Sequence, residues 1–482
     1  MTDATAKHND TETSELVKES WHIIKGKVNG NHYANKQEAR AIPNARLKQV
    51  FGIDNAFTTV SQDEKTEFRR RTVKLMKDAS RFNEYPEGGW TALREHAIKI
   101  SREYIAHVKE RIKLPEMVQF ITLRLSILYL FPDAPTWGDD DFGDMLYIGR
   151  RINELWVESK DKTNLHPTWA LEADLQAALR KVTSPPTSNN TRGKSIVNTQ
   201  AAIGTLGSFY SKLDYLWSKC PQWIINLWSS LHSWMKPTAA ETAAAKIPTI
   251  EETTDPSVPK RNPMNLILPA YETMWRVVMR IFMEIRYRDA EHGPDWSRTM
   301  EEYLDTLKDP ACMQKTPLWT SSYNRVKPMD IVKEGLRLYP PTRRVHRSFK
   351  TSEGSEIVVA DIEKCHRSGA LGGDDPLVFR PERWQQICPV ERQGMEKGIE
   401  KSKRDLKDRE EGLGFMPFAD SCPAGAGDTK GFGFKMIALL VAVLCKELGE
   451  GWTSESNNLP QDRKQPLESD RTAYENLWLM KS

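Results

Sequence analysis

The chain reads as mainly α, a helix-dominated α+β protein, and three observations predict it. Apolar residues recur three and four apart along successive segments up to Leu338. Strand-like alternation is confined to two short runs, one after Pro341 and one over 356–359. A Gly- and Pro-rich loop around Cys422 then opens onto a last apolar run, 436–444, long enough for a buried helix.

Composition sets the outer bounds. With 482 residues, 39% of them hydrophobic and 28% charged, a sizeable core can form. The formal net charge of +3 is small for this length, so no global field points to nucleic acid as a partner. Six cysteines (220, 312, 365, 388, 422 and 445) are scattered without a CxxC pair. That argues against zinc and against a secreted disulfide scaffold, and it suits a reducing, intracellular compartment. The first residues are polar, with neither an apolar signal core nor a membrane span, and no later window gives 18 uninterrupted apolar residues. As written, the chain is expected to be cytoplasmic.

Taken in order, residues 1–15 are expected to be disordered, with 16–482 forming one domain. A turn at 52–55 precedes a helix capped near Ser61 or Asp63 that carries Arg69, Arg70 and Arg71. Adjacent helical residues point to different sides, so at most one or two of the three serve one buried anion; a solvated face is the alternative. Residues 90–112 make an amphipathic helix, and 116–131 a core helix apolar nearly all round, closed by Pro132 and Pro135. The acidic turn 139–141 starts a helix with a stripe through Met145, Ile148, Ile152 and Leu155, and 169–182 makes one more. Trp217, Trp223, Trp228 and Trp234 crowd the stretch 196–235, where they either pack internally, cover a cavity or touch a membrane surface. Residues 237–263 read as a mobile connector.

A long apolar helix over 264–288 is interrupted at Pro269, which removes a backbone donor and frees a carbonyl. Immediately beyond lie Glu272 and Thr273, polar groups in an apolar helix that need partners or a purpose; capping the kink is the plainer one. In the helix 330–338, Glu334 and Arg337 are three apart and share a face. An irregular segment, 374–384, holds Arg380 and Arg383, and a charged helix, 392–411, leads to the cysteine loop. There, Ala424, Gly425, Ala426 and Gly427 allow close backbone approach, and backbone N–H groups stabilise a thiolate. A thiolate so placed suits an axial haem ligand; a buried structural cysteine is the alternative.

Four signals now stand in one order: YET at 271–273, EGLRLYPP at 334–341, PERW at 381–384 and PFADSCP at 417–423. Together they resemble the cytochrome P-450 family of haem-thiolate monooxygenases, closely over about 264–448 and more loosely from Asn44. LYPPTRRVHR and KMIALLVAVL are similar to its filamentous-fungal members. The resemblance implies a P-450-like helical fold with small β-sheets. It implies haem b bound through Cys422, a structural clasp of Glu334, Arg337 and Arg383, and haem-propionate partners in Arg347, with His346 beside it, and in Arg69 or Arg70. Glu272 and Thr273 become the oxygen-activating pair, and Pro269 and Tyr271 narrow the groove beside them. This sequence departs from the family at the cysteine loop, where Phe418, Asp420 and Ala424 replace expected residues, and in the missing Trp of WxxxR. The N-terminal anchor and first sheet are largely missing.

The function implied is hydroxylation or epoxidation of a hydrophobic small molecule in fungal secondary metabolism. Electrons come from an NADPH-dependent reductase, because no flavin or nucleotide fingerprint is present. Such a partner docks on the basic stretch 401–409, and a full-length form with an anchor would sit on the endoplasmic reticulum surface, with peripheral membrane contact. Alternatives are an isomerase, a dehydratase or a peroxide-using enzyme, or a degenerate, non-catalytic haem-binding module.

Overall fold

Asn35 accepts the Gln37 and Glu38 N–H groups on its side-chain oxygen, at 2.9 and 3.0 Å, and so starts one of the first helices of this mostly helical chain. The computed structural model describes residues 2–28, 31–32, 35–81, 89–134, 138–160, 168–185, 254–289, 291–309, 317–321, 325–397, 399–419, 422–425, 431–455, 459–460 and 462–482. The four tryptophans of 196–235 and most of the connector lie outside them. The connector's described end is tied down: Trp169 donates to the Pro256 carbonyl at 2.8 Å, and Asn262 to that of Phe51 at 3.0 Å.

Helix α1 spans Thr2–Lys25. Past the first fifteen residues it carries a stripe of Val17, Ser20, Ile23 and Ile24, spaced three to four apart and buried with Val345, Ala360, Ile362 and Met416. After α2 (Lys36–Ala41) and α3 (Ala45–Phe51), Gly52 turns the chain with φ 61°. A Cβ on Gly52 would stand 2.2 Å from the Trp169 ring, so both the backbone and the neighbour require glycine.

The arginine-bearing helix, α4 (Gln62–Ser80), is capped by Ser61, whose hydroxyl accepts the Glu64 N–H at 3.3 Å. Helices α5 (Gly89–Val108) and α6 (Leu114–Leu130) pack against each other, with the Tyr104 hydroxyl donating to Glu116 at 3.0 Å. As its composition predicts, α6 is buried along nearly its whole length. Helices α7 (Phe142–Glu158) and α8 (Ala173–Thr183) follow.

The apolar helix begins as α9, Met264–Ile267, widens into a π-turn over Leu268–Glu272, and resumes as α10, Thr273–Met283, before a second π-turn, Glu284–Arg288. Proline cannot donate the regular bond, and the wider turn accommodates its ring. Thr273 takes up the Pro269 carbonyl, donating to it at 2.8 Å. Beyond come α11 (Gly293–Thr306) and α12 (Pro328–Leu338). The charged helix expected over 392–411 is two helices, α15 (Pro389–Glu396) and α16 (Glu400–Gly412), with α13 (Ile362–His366) and α14 (Gly369–Gly372) before them. The last helix, α17 (Phe432–Glu447), lies in the core beside α5, where Trp90 meets Phe432 at 5.4 Å between ring centroids.

The described sheets are small. Strands β1 (Lys27–Val28) and β2 (Asn31–His32) form a short ribbon. Strand β7 (Trp478–Lys481) lies between β3 (Arg111–Lys113) and β6 (Trp452–Ser454), antiparallel to both. The third is a hairpin, β4 (Arg344–Thr351) with β5 (Gly354–Asp361), in the register His346 to Val359 and Arg347 to Val358. Among the described residues, no helix is long and apolar enough to cross a membrane.

Candidate functional site

Helix α12 carries the most tightly organised charges in the molecule. Pro328 in its first turn and Pro340 just past its end fix its length, and Glu334 and Arg337 fall on one face one turn apart. Both are wholly buried. The Arg337 Nε and Nη2 donate to the two Glu334 oxygens at 2.9 and 2.8 Å, a bidentate pair. The Arg383 Nε and the Arg380 N–H reach Glu334 Oε1 at 2.9 Å, and the Trp384 indole reaches Oε2 at 3.0 Å. Burial alone would raise the Glu334 pKa; Arg337, Arg383 and the Arg380 N–H hold it below the ordinary carboxylate value instead. The structure thus brings Glu334, Arg337 and Arg383 together. The guanidiniums spend their other N–H groups on the carbonyls of His366, Gly372, Asp375, Pro376 and Val378, so the clasp organises backbone and does no proton chemistry.

The same face of α12 carries two further buried pairs that local spacing does not reveal. Asp330 is held by Arg392 on α15, and Lys333 by Glu410 on α16. Together they dock the paired helices onto α12.

His366, also not singled out in the sequence, joins α12 to the cysteine segment. Its Nδ1 faces the Leu336 carbonyl at 3.1 Å and its Nε2 accepts the Met416 N–H at 2.9 Å, so Nδ1 carries the proton and the ring is neutral. Complete burial pushes its pKa down to about 3.

Cys422 lies at the start of a 3-10 turn, Pro423–Gly425, that packs against α4 and α17. Burial raises its thiol pKa; the Ala424 and Gly425 N–H groups, then Arg40 and Arg69, act in the opposite sense. Of the arginines in α4, Arg69 is half-buried and acts on Cys422, whereas Arg70 and Arg71 point to solvent. The position expected for Arg70 at the site is therefore not the one it has. Arg40, on α2, lay outside every motif. Arg347 is buried and donates to the His346 carbonyl at 2.9 Å, while His346, the next residue along a strand, faces outward. Asp420 lies outside the described residues.

A haem is the group that the sequence resemblance implies. The residues present fit it: a half-buried cysteine whose sulfur accepts the Ala424 and Gly425 N–H groups, with the Arg40 and Arg69 guanidiniums acting on it. Cys422 would ligate the iron, and Arg40 and Arg69 are the guanidiniums that act on its sulfur.

At the kinked helix, Glu272 is buried. Its Oε1 pairs with Arg471, which the sequence did not mark, and lies 3.7 Å from the Arg276 Nε. Its Oε2 is buried without a hydrogen-bond partner among the described residues. Arg471 stacks 4.7 Å over Trp156, and burial pulls its pKa down to about 9. Tyr271 turns its hydroxyl to the Gly149 carbonyl, 3.1 Å away on α7, and so braces the neighbouring helix. Helix α6 spans both regions: Gln119 sits beside the Tyr271–Gly149 contact, and Tyr129, about 15 Å further along, beside Cys422.

No protein-family model and no curated protein matches the chain. Similar solved structures include cytochrome P450EX alpha (CYP152N1) with myristic acid, at 12% identity, covering 93% of this chain and 85% of that one, with a TM-score of 0.45. Ligand-free cytochrome P450 OleT is 11% identical over 97% of this chain and 96% of that one, at 0.44. A single-residue mutant of cytochrome P450SP alpha (CYP152B1) is 13% identical over 97% and 98%, at 0.48. The architecture of this chain is mostly helical with small sheets, and at these identities and TM-scores the likeness assigns it neither a family nor an activity.

Proposed function

We propose that the chain is a haem-thiolate oxidoreductase of the cytochrome P-450 type that oxidises a hydrophobic small molecule, with peroxide as its oxidant. The observation that carries the reading is Cys422, a half-buried cysteine with backbone N–H donors and guanidiniums acting on its sulfur, on a segment fastened through His366 to a clasped helix. A haem bound through this thiolate supplies cleavage of the O–O bond. Overall, a C–H bond and hydrogen peroxide give an alcohol and water.

Two features of the chain favour peroxide over a reductase. Glu272 is held in place by Arg471 with Oε2 uncommitted, and it is the group available to take a proton from one peroxide oxygen and return it to the other. Thr273 is already engaged with the Pro269 carbonyl. On the surface expected to dock a reductase, Arg409 pairs with Glu391 and Lys407 with Glu411, which leaves little net positive field for an acidic partner.

The test begins with a spectrum. Reduced protein with carbon monoxide is expected to show the thiolate Soret band, and Cys422→Ala to abolish it; absence of the band in the unmodified protein defeats the reading. Turnover with hydrogen peroxide alone, lost in Glu272→Gln, then selects the oxidant. Turnover only with NADPH and a reductase selects the other reading.

A further inference from the structure

Past Thr273 the buried charge of α10 is unbalanced. Arg276 and Arg280 stand one turn apart, Arg276 half-buried and Arg280 buried, and desolvation pulls each guanidinium pKa down to about 10. Neither has a close carboxylate partner of its own. Arg280 is met by carbonyls: those of Glu468 at 2.9 and 2.7 Å, Asp470 at 2.9 Å and Arg276 at 3.2 Å. Arg276 donates to the Pro341 carbonyl at 3.1 Å, and its nearest carboxylate, Glu272, belongs to Arg471.

Both arginines line a narrow cleft, partly open to solvent, with Tyr339, Arg343, Glu363 and Ser469. Arg343 spends its Nε and Nη2 on Glu363 at 2.6 Å. Three guanidiniums therefore face one carboxylate, an excess of two positive charges. The surroundings do not reverse it: Arg471 is paired with Glu272, and Lys160 offsets Asp470. Meanwhile Arg276 Nη1, Arg343 Nη1 and the Ser469 hydroxyl make no hydrogen bond among the described residues. Buried charge in surplus, with forked donors left over, is the arrangement that recognises an oxyanion.

We propose that this cleft binds a doubly charged phosphate, either free or as the monoester group of a larger molecule. The excess of two charges asks for a dianion, and the narrowness of the cleft suits a compact one. Phosphate binding here is independent of the haem reading. Titration calorimetry of the full chain with inorganic phosphate, phenyl phosphate and acetate, at ionic strength matched with chloride, tests it. Saturable phosphate binding is expected, weakened about tenfold by Arg276→Gln and more mildly by the outward-lying Arg343→Gln. Tighter binding of phenyl phosphate would identify the ester as the ligand, and tighter inorganic phosphate the free ion. Acetate binding as well as phosphate, no saturable binding, or undiminished affinity in both folded variants would overturn the proposal.

Discussion

The buried charges on α12 and those on α10 obey opposite rules. On α12, Asp330, Lys333, Glu334 and Arg337 each have a partner of opposite sign, and the partners reach in from α15, α16 and the segment around Arg383. On α10, the half-buried Arg276 and the buried Arg280 are held by carbonyls. A closed set of charges fixes structure, and an open set waits for a ligand or a proton. Burial alone does not separate the two cases; the balance of sign does.

The strongest way to break this contrast is at its closed end. Glu334→Gln leaves Arg337 and Arg383 buried without their shared anion and is expected to destabilise the protein by about 3–5 kcal/mol in denaturant unfolding. A loss below ~1 kcal/mol would place the clasp among ordinary surface pairs.

Next in size is a pH effect from His366. Its pKa is about 3 when folded, against an ordinary 6.5, so the unfolded chain binds the extra proton between those values. The stabilisation is fully present above pH 6.5 and is lost as pH falls toward 3, at up to about 1.4 kcal/mol per pH unit. A melting series from about pH 7 to about pH 4, with His366→Gln flattening the slope, checks it.

Glu272→Gln removes the anion beside Arg471 and is expected to cost about 1–3 kcal/mol. The smallest effect is the most discriminating. Arg276→Gln removes a surplus charge and is expected to leave stability within about 1 kcal/mol, or to raise it, when no phosphate is present. A loss comparable to that of Glu334→Gln would erase the distinction between the two helices.

What the sequence made legible follows from how far apart partners lie. Glu334 and Arg337 are one helical turn apart, and Ser61 caps its own helix, so both could be read locally. Arg383 followed only from the resemblance. Asp330 with Arg392, Lys333 with Glu410, and Glu272 with Arg471 are joined by the fold across long stretches of chain, and no spacing announces them. His366 was invisible for another reason: a neutral histidine between two backbone groups leaves no pattern in the residues around it. At Pro269 the interruption was legible, but its form, a widened turn and not a sharp bend, was not, and the carbonyl the proline orphans, that of Asn265, is taken at 3.0 Å by the Asn55 side chain from far along the chain.

That widened turn also resets the angular phase of the helix. An α-helix advances about 100° per residue, so the additional residue taken up within Leu268–Glu272 rotates everything after it by roughly that amount. Wheel diagrams drawn from Met264 therefore mispoint Arg276 and Arg280. Removing one residue from the middle of α10 would swing Arg280 away from its carbonyls.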